Sequence, residues 1–156
     1  MLEALTLRKI QVGDRVAWSG MFDSYRQTAG YDPDASINAV VWSWISAEQA
    51  SQAIVVEDDE GLLGFAHYRR FPRPILGDEG IYLDDLFTRP EARGRGVARS
   101  MLTHLSAQLE TGAFSVLRWT TKPGNDPARR LYEQFGALSE SITYNATPHS
   151  GETTPS

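Results

Sequence analysis

The stretch from Ile81 to Thr121 constrains the fold more than any other part of the chain, because strand and helix patterns alternate within it. The segment "IYLDDLFT" is rich in aromatic and aliphatic residues, as a strand is, and the apolar spacing after Gly96 is helical. The segment "FSVLRWTT" then predicts another strand. A strand–helix–strand crossover of this kind joins parallel strands, so we predict a sheet with a parallel pair.

The first half of the chain predicts the strands and helices that complete this sheet. "ALTLRKI" alternates apolar and polar residues like a strand, and the segment from Asp14 to about Ala29 predicts an amphipathic helix. "INAVVWSWISA" predicts a second helix, although its β-branched residues leave a strand open. "QAIVVEDD" and "LLGFAHYRRF" predict a hairpin, followed by a loop that contains Pro72 and Pro74 and ends near Gly80.

The end of the chain predicts one more helix and a weak strand region. Asp126 is expected to be the N-cap of that helix, with Pro127 at its first position. "LSESITYNA" then predicts one or two weaker strands. The predicted order is β-α-α-β-β-β-α-β-α-β(β), a mixed α/β fold with a single central mixed sheet flanked by helices. We predict one domain over residues 1–144 and a disordered tail over 145–156.

Composition excludes several classes of protein. The chain has 156 residues and a formal net charge of -5, which argues against a nucleic-acid partner. It has no cysteine, and its three histidines are scattered, so we predict no metal site. No apolar run approaches the roughly 18 residues of a membrane span, and the N-terminus lacks the apolar core of a signal peptide. We therefore expect a cytoplasmic protein with no membrane partner.

The segment "RPEARGRGVARSML" begins the predicted helix with two glycines and clustered arginines. The first N–H groups of a helix lack intrahelical acceptors, and the helix dipole attracts negative charge there. Gly94 and Gly96 would let the backbone approach a diphosphate, with Arg93 and Arg95 adding charge at the rim. The spacing matches neither the dinucleotide fingerprint nor the nucleoside triphosphate P-loop. The alternative is a solvated helix start that happens to be rich in glycine.

Two motifs in the correct order identify a family. The run "IYLDDLFTRPEARGRGVARSML", followed by "NDPARRLYEQFGA", closely resembles the GNAT family of acetyl-CoA-dependent N-acetyltransferases. The spacing of Arg93, Gly96 and Ala98 matches the family's [QR]-x-x-G-x-[GA] pattern. "YLDDLF" is also similar to the "YLEDFF" strand of the spermidine/spermine acetyltransferase branch. The resemblance covers roughly residues 81 to 137 and implies a GNAT-like fold and N-acetyltransferase activity.

The resemblance also implies which residues bind acetyl-CoA as co-substrate. The amides from Arg93 to Ala98 would hold the pyrophosphate, and the strand edge at 86–88 would pair with the pantetheine arm. Asn125 would border the cofactor, and Arg129 or Arg130 would meet the 3'-phosphate. The predicted cofactor-binding residues are Leu86, Phe87, Thr88, Arg93, Gly94, Arg95, Gly96, Val97, Ala98, Asn125 and Arg129.

Acetyl transfer to an aliphatic amine needs a base, because the amine has a pKa of about 10.4 and is protonated at neutral pH. Asp84 and Asp85 are the candidates. Neighbouring residues of a strand point to opposite faces unless a bulge intervenes, so ordinarily only one would face the acceptor. Asp84 is favoured, since it matches the glutamate of the "YLEDFF" strand. The alternatives are a carboxylate paired with an arginine or simply exposed, and His67 as the base.

The resemblance assigns two further catalytic roles. Tyr132 matches the family's catalytic tyrosine, and its phenol would protonate the departing thiolate. The backbone N–H of Phe87 is the predicted oxyanion donor. The alternative for Tyr132 is a packing role near the end of a helix.

The acceptor pocket is expected to hold aromatic and acidic side chains, which suit a cationic amine. The predicted substrate-binding residues are Tyr31, Trp42, His67 and Asp84, although core aromatics produce the same composition. We expect a small-molecule amine acceptor, such as a diamine, polyamine or amino-acid-like compound, and the family allows a homodimer. The alternatives are an acyl-CoA-binding regulatory module without turnover and an acetyltransferase for protein N-termini or lysines.

Overall fold

The computed structural model describes residues 4–148. Its strands are β1 (Thr6–Lys9), β2 (Gln52–Asp58), β3 (Gly61–Arg73), β4 (Asp78–Thr88) and β5 (Leu117–Arg118). Its α-helices are α1 (Arg15–Thr28), α2 (Ala35–Ser46), α3 (Val97–Glu110) and α4 (Asp126–Tyr132). The described residues divide into two compact units, one ending at Thr120 and containing the whole sheet, the other beginning at Thr121 and containing α4.

The five strands form one sheet in the order β1-β2-β3-β4-β5. The first three pairings are antiparallel, and β4 pairs with β5 in parallel. The predicted mixed α/β fold and the crossover through α3 are therefore confirmed. No α-helix within residues 4–148 is long and apolar enough to cross a bilayer.

The helices of the first unit cover both faces of the sheet. A Cβ on Gly64 of β3 would meet Val97 at the start of α3. The next residue, Phe65, faces the other side, where its ring lies 6.1 Å from Phe22 of α1. Trp18 of α1 stacks on Phe22 at 5.1 Å and also meets Trp42 of α2. The aromatic core therefore lies between β3 and the pair α1–α2.

The second apolar segment is a helix, as predicted, and not the strand that its β-branched residues left open. Asp34 is its N-cap, and the carboxylate accepts hydrogen bonds from the backbone N–H groups of Ser36 and Ile37. Such a cap satisfies donors that a helix leaves unpaired in its first turn. Burial of Trp42 and Ile45 then holds this helix against the core.

The predicted loop around Pro72 and Pro74 is wrong, because β3 and β4 continue through it to a short turn at 74–77. Pro72 lies opposite Glu79 in the ladder. The N–H of Ile81 donates to Val116 O at 2.8 Å and therefore points away from β3. Because hydrogen-bonded and non-bonded positions alternate along an antiparallel pair, Glu79, two residues earlier, also makes no hydrogen bond to β3. The missing N–H of Pro72 therefore costs no ladder bond, and β2 has already ended opposite Tyr68.

The C-terminal strands differ most from the prediction. The strand predicted over 114–121 is reduced to β5, and residues 137–148 contain no strand, although one or two were predicted there. The apolar side chains of this segment stay uncovered: Leu138, Ile142 and Tyr144 are 84%, 78% and 89% exposed. An alternating pattern forms a strand only where an edge pairs with it and a core covers it. Of the predicted tail, residues 145–148 have no regular structure and 149–156 lie outside the described residues.

A glycine substitution tests the close approach of β3, β4 and α3. A Cβ at Gly64 would lie 2.5 Å from the carbonyl oxygen of Phe87 and 2.8 Å from Val97 Cγ1. We expect Gly64→Ala to lower the free energy of unfolding by about 1–3 kcal/mol, measured by urea denaturation. Gly20→Ala is the control, because nothing lies within 4 Å of its Cβ in α1, and it should stabilise by about 1 kcal/mol. Equal effects of the two changes would contradict the packing described.

Candidate acetyl-transfer site on strand β4

The outer edge of β4 loses its partner halfway along the strand. Parallel pairing with β5 is limited to Ile81 with Leu117 and Tyr82 with Arg118. Among residues 4–148, no strand continues along that edge from Leu83 to Thr88. Backbone N–H and C=O groups on this edge are therefore open to an extended ligand, which can add to a sheet as a strand does.

The hydrogen-bond alternation shows which backbone groups face the open edge. The N–H of Arg89 donates to the carbonyl of Leu63 on β3 at 2.8 Å. In an antiparallel pair the residues alternate between bonded and non-bonded positions, so Phe87, opposite Phe65, also points towards β3. Leu86 and Thr88 point the other way. The predicted oxyanion donor, the N–H of Phe87, is therefore used in the ladder, and the N–H of Leu86 faces the open edge.

A bulge at Asp84 places both carboxylates on one face of the sheet. His67 lies opposite Asp85 and Tyr68 lies opposite Leu83, so Asp84 is the extra residue of β4. Bulges of this kind break the alternation of side chains between the two faces. The side-chain contacts agree with this, since Asp84 contacts Arg69 and Asp85 contacts His67. His67 and Arg69 are two residues apart on β3 and therefore lie on the same face of the sheet. The expectation that only one carboxylate faces the site therefore fails here.

Asp84 is paired and only partly exposed. Its Oδ2 accepts a hydrogen bond from Arg69 Nε at 3.0 Å, and one third of the side chain is exposed. The guanidinium of Arg69 also lies over the ring of Tyr82, 4.6 Å from its centroid. Burial raises the pKa of the Asp84 carboxyl above its ordinary value, although Arg69 acts to lower that pKa. The predicted alternative, pairing with an arginine, is therefore present.

Asp85 is held by a buried histidine. Its Oδ2 lies 2.9 Å from His67 Nδ1, and the other ring nitrogen of His67 accepts a hydrogen bond from Trp18 Nε1 at 3.0 Å. Trp18 and His67 are 0% and 2% exposed, whereas 27% of the Asp85 side chain is exposed. Because both ring nitrogens are hydrogen-bonded and buried, His67 is poorly placed to act as the base.

The glycine-rich turn before α3 depends on two left-handed residues. Gly94 and Gly96 have φ values of +80° and +83°, and Gly96 is the N-cap of the helix. A Cβ would meet nothing within 4 Å at either position, so the positive φ requires glycine here. The first intrahelical bond runs from Ser100 N to Gly96 O at 2.9 Å. The N–H groups of Val97 and Ala98 precede that bond and have no carbonyl within the helix to bind.

Arg95 connects this turn to the sheet. Its guanidinium lies 3.0 Å from a carboxylate oxygen of Asp58 at the end of β2, and the Asp58 side chain is 3% exposed. This ion pair fixes the path of the backbone between the two glycines. Arg93, in contrast, is exposed and extended at the start of the turn. The two arginines predicted at the rim therefore differ in their surroundings.

The other predicted site residues lie in varied places. Trp42 is 9% exposed and packs in the aromatic core, whereas Tyr31 is 39% exposed beneath the guanidinium of Arg26. Within the second unit, Asn125 is the N-cap of α4, one residue before the predicted Asp126, and Arg129 donates to the carbonyl of Pro123 at 2.8 Å. Burial raises the pKa of the Tyr132 phenol above its ordinary value.

Three residues at the site were missed in the sequence. Trp18, Arg69 and Asp58 each contact a predicted site residue from a distant part of the chain. Arg69 could have been suggested by its position in the strand that pairs with "IYLDDLFT", had the register been known. No local pattern in the sequence distinguishes Trp18 or Asp58 from an ordinary core or turn residue.

Comparisons with known proteins agree with this geometry. Residues 18–137 match the model of the acetyltransferase (GNAT) family. The chain is 21% identical to a D-amino-acid N-acetyltransferase of Saccharomyces cerevisiae over 145 residues, 91% of this chain and 90% of that protein. It is 28% identical to an L-2,4-diaminobutyric acid acetyltransferase of Vibrio cholerae over 90 residues, 58% of this chain and 50% of that protein.

The fold comparison points the same way. A crystal structure of a ribosomal-protein-alanine N-acetyltransferase from Brucella melitensis biovar Abortus 2308 superimposes with a TM-score of 0.75 at 22% identity. The match covers 92% of this chain and 99% of that one. The open edge of β4 and the glycine turn before α3 thus occur in a fold shared with N-acetyltransferases. The chain belongs to the GNAT family of acetyltransferases.

Proposed function

We propose that the protein transfers acetyl from acetyl-CoA to the primary amine of a small cationic acceptor, either a diamine or an amino-acid-like compound. The observation that carries this proposal is the bulge of β4. It places the carboxylates of Asp84 and Asp85 on one face, directly beside the strand edge that β5 leaves open. A ligand that pairs with this edge would end next to two acidic side chains.

The residues of the first unit fit acetyl-CoA. Leu86 and Thr88 offer outward N–H groups to the amide-containing pantetheine arm, as a neighbouring strand would. The turn at Gly94 and Gly96 directs the first N–H groups of α3 outward, where the helix dipole favours a pyrophosphate. The predicted roles of Arg93, Val97 and Ala98 belong to this turn. Asn125 and Arg129 stay predictions from the resemblance.

Acetyl-CoA supplies a thioester, and the chain must remove a proton from the amine and stabilise charge on the carbonyl oxygen. We assign the first role to Asp84, because burial raises its pKa and a carboxylate with a raised pKa accepts a proton more readily at neutral pH. Aspartate is a short side chain, so the transfer is expected to pass through water. The N–H of Leu86, not that of Phe87, is our donor to the carbonyl oxygen.

Tyr132 remains our candidate for the acid that protonates the departing thiolate. The support is its match to the family's tyrosine together with burial, which keeps the phenol protonated at neutral pH by raising its pKa. A homodimer also remains a prediction from the family.

The acceptor class is inferred from charge and from the relatives. Two carboxylates at one bulge suit a cationic amine, and the similar proteins of known name act on D-amino acids or L-2,4-diaminobutyric acid. Trp42 and His67, which were predicted to bind substrate, are buried and would support the acceptor site from behind. Tyr31 is exposed and remains a candidate for direct contact.

A coenzyme-release assay with acetyl-CoA and a panel of amines tests the function. The panel should contain D- and L-amino acids, diamino acids, polyamines, aminoglycosides and short peptides with a free N-terminus. We expect turnover with an amino-acid-like or diamine acceptor. Turnover with peptides alone would replace the proposal by protein acetylation. Calorimetric binding of acetyl-CoA without any turnover would favour a regulatory module.

Substitutions at the two ends of α3 test the cofactor site. Gly96 and Gly112 both have positive φ and open space around them, at +83° and +76°. Each change to alanine should cost about 1–2 kcal/mol of stability, because alanine is strained in that conformation. Only Gly96→Ala should weaken acetyl-CoA binding, by about tenfold or more in calorimetry, because only that end of the helix presents N–H groups. Equal affinities of the two variants would refute the pyrophosphate assignment.

The pH dependence of turnover tests Asp84. A base must be deprotonated to act, so kcat/KM should rise with pH through the Asp84 pKa, which burial places above its ordinary value. Asp84→Asn should remove this limb of the profile and lower kcat by about 100-fold or more. Glu79→Gln is a matched control, since Glu79 lies on the same strand, paired with Arg70 at 3.5 Å and away from the bulge. An unchanged kcat in Asp84→Asn would exclude it as the base.

A further inference from the structure

The hydrogen bonds from Trp18 to His67 and from His67 to Asp85 form a continuous chain from the core to the bulge. An indole N–H can only donate, so His67 Nε2 must accept and carries no proton. The single proton of a neutral imidazole then lies on Nδ1 and is donated to Asp85 Oδ2, 2.9 Å away. The buried geometry therefore selects one tautomer of His67.

This tautomer has a consequence for charge. A second ring proton on His67 would have to lie on Nε2, which is 3.0 Å from Trp18 Nε1 and would then face the indole N–H. Both side chains are buried, so neither of the two N–H groups could turn to water instead. The hydrogen-bond geometry therefore leaves no room for a proton on Nε2, and Asp85 receives its hydrogen bond from Nδ1. Asp84, in contrast, is paired with the guanidinium of Arg69. Asp84 therefore has a cationic partner on β3, whereas the contact of Asp85 with β3 does not compensate its negative charge.

The groups that pack against His67 from the neighbouring helix and strands are apolar. From α1 it meets the rings of Trp18 and Phe22, and along β3 the ring of Phe65. Ala53 of β2 lies opposite it in the ladder. The carboxylate that contacts His67 is that of Asp85, and the Asp84–Arg69 pair lies two residues further along β3.

We propose that Trp18 and His67 are positioning residues that orient the Asp85 carboxylate to receive the ammonium group of the acceptor. This inference rests on the proposed function and gives the two carboxylates at the bulge different roles. Asp84 takes up the proton, and Asp85 provides the fixed anion that selects cationic acceptors. Because 27% of the Asp85 side chain is exposed, it can meet a ligand while its Oδ2 is bound to His67.

Nuclear magnetic resonance of the imidazole nitrogens tests the tautomer without any need for turnover. We expect His67 in the wild type to show a protonated Nδ1 and a bare Nε2, assigned by the loss of its signals in His67→Asn. In Trp18→Phe the indole donor is gone, so the signals should shift towards a mixture of the two tautomers. A wild-type His67 that is protonated on Nε2 at neutral pH would overturn the proposal.

Kinetics with the cationic acceptor found in the amine panel provide the second readout. In Trp18→Phe nothing holds the imidazole proton on Nδ1, so the share of molecules in which His67 donates to Asp85 should fall to about half, one of two tautomers. The KM for the acceptor should therefore rise about twofold or more. The KM for acetyl-CoA should not change with it. An unchanged acceptor KM, with the tautomer of His67 shown to shift, would contradict the proposal.

Two variants of His67 separate positioning from packing. His67→Asn retains an N–H donor near the Nδ1 position, whereas His67→Phe retains the ring and removes the donor. We expect His67→Phe to raise the acceptor KM about tenfold, since a hydrogen bond to a charged group is lost, and His67→Asn to recover most of that loss. Equal defects in both variants would indicate a packing role. If no amine is turned over, the proposed function fails, and the tautomer measurement alone decides whether Trp18 controls His67.

Discussion

One extra residue in β4 places the two carboxylates of the site together. Without the bulge, Asp84 and Asp85 would point to opposite faces, and one of them would lie on the side that α3 covers. With it, both reach partners on the same face of β3. The bulge also changes which backbone groups of β4 face outward, so that the N–H of Leu86 lies on the open edge directly after the two carboxylates.

The cofactor side depends on close packing behind the sheet. Gly64 lacks a side chain where the carbonyl of Phe87 and the side chain of Val97 come nearest, so α3 begins directly beside the end of β4. The Arg95–Asp58 ion pair then holds the turn that connects the two. Among residues 4–148, a strand edge that pairs with no further strand and a helix whose first N–H groups lack intrahelical acceptors are thus brought next to each other. Each alone is a common feature, and their contiguity makes an extended, anionic thioester a suitable ligand.

The two carboxylates differ because their partners differ. Arg69 is a permanent cation, and the partly buried Asp84 shares its charge with that side chain. His67 accepts a hydrogen bond from Trp18 at Nε2, which leaves Nδ1 to donate to Asp85. In the proposed function, neighbouring residues of identical chemistry therefore take separate tasks, one accepting a proton and the other binding the ammonium group of the acceptor. The core residues behind the site would set this division.

Local spacing of glycine, apolar and acidic residues is enough to identify the family, the crossover and the positions of the two motifs. The sequence also led to errors where local spacing was not enough. Leu138, Ile142 and Tyr144 alternate as in a strand, but their side chains are exposed. Pro72 predicts a loop, but it lies in β3 at a position where the ladder needs no N–H. The register of β3 against β4 becomes visible only in the folded chain. That register depends on contacts between residues far apart in the chain, and it alone creates the bulge and brings Arg69, His67 and Trp18 to the two aspartates.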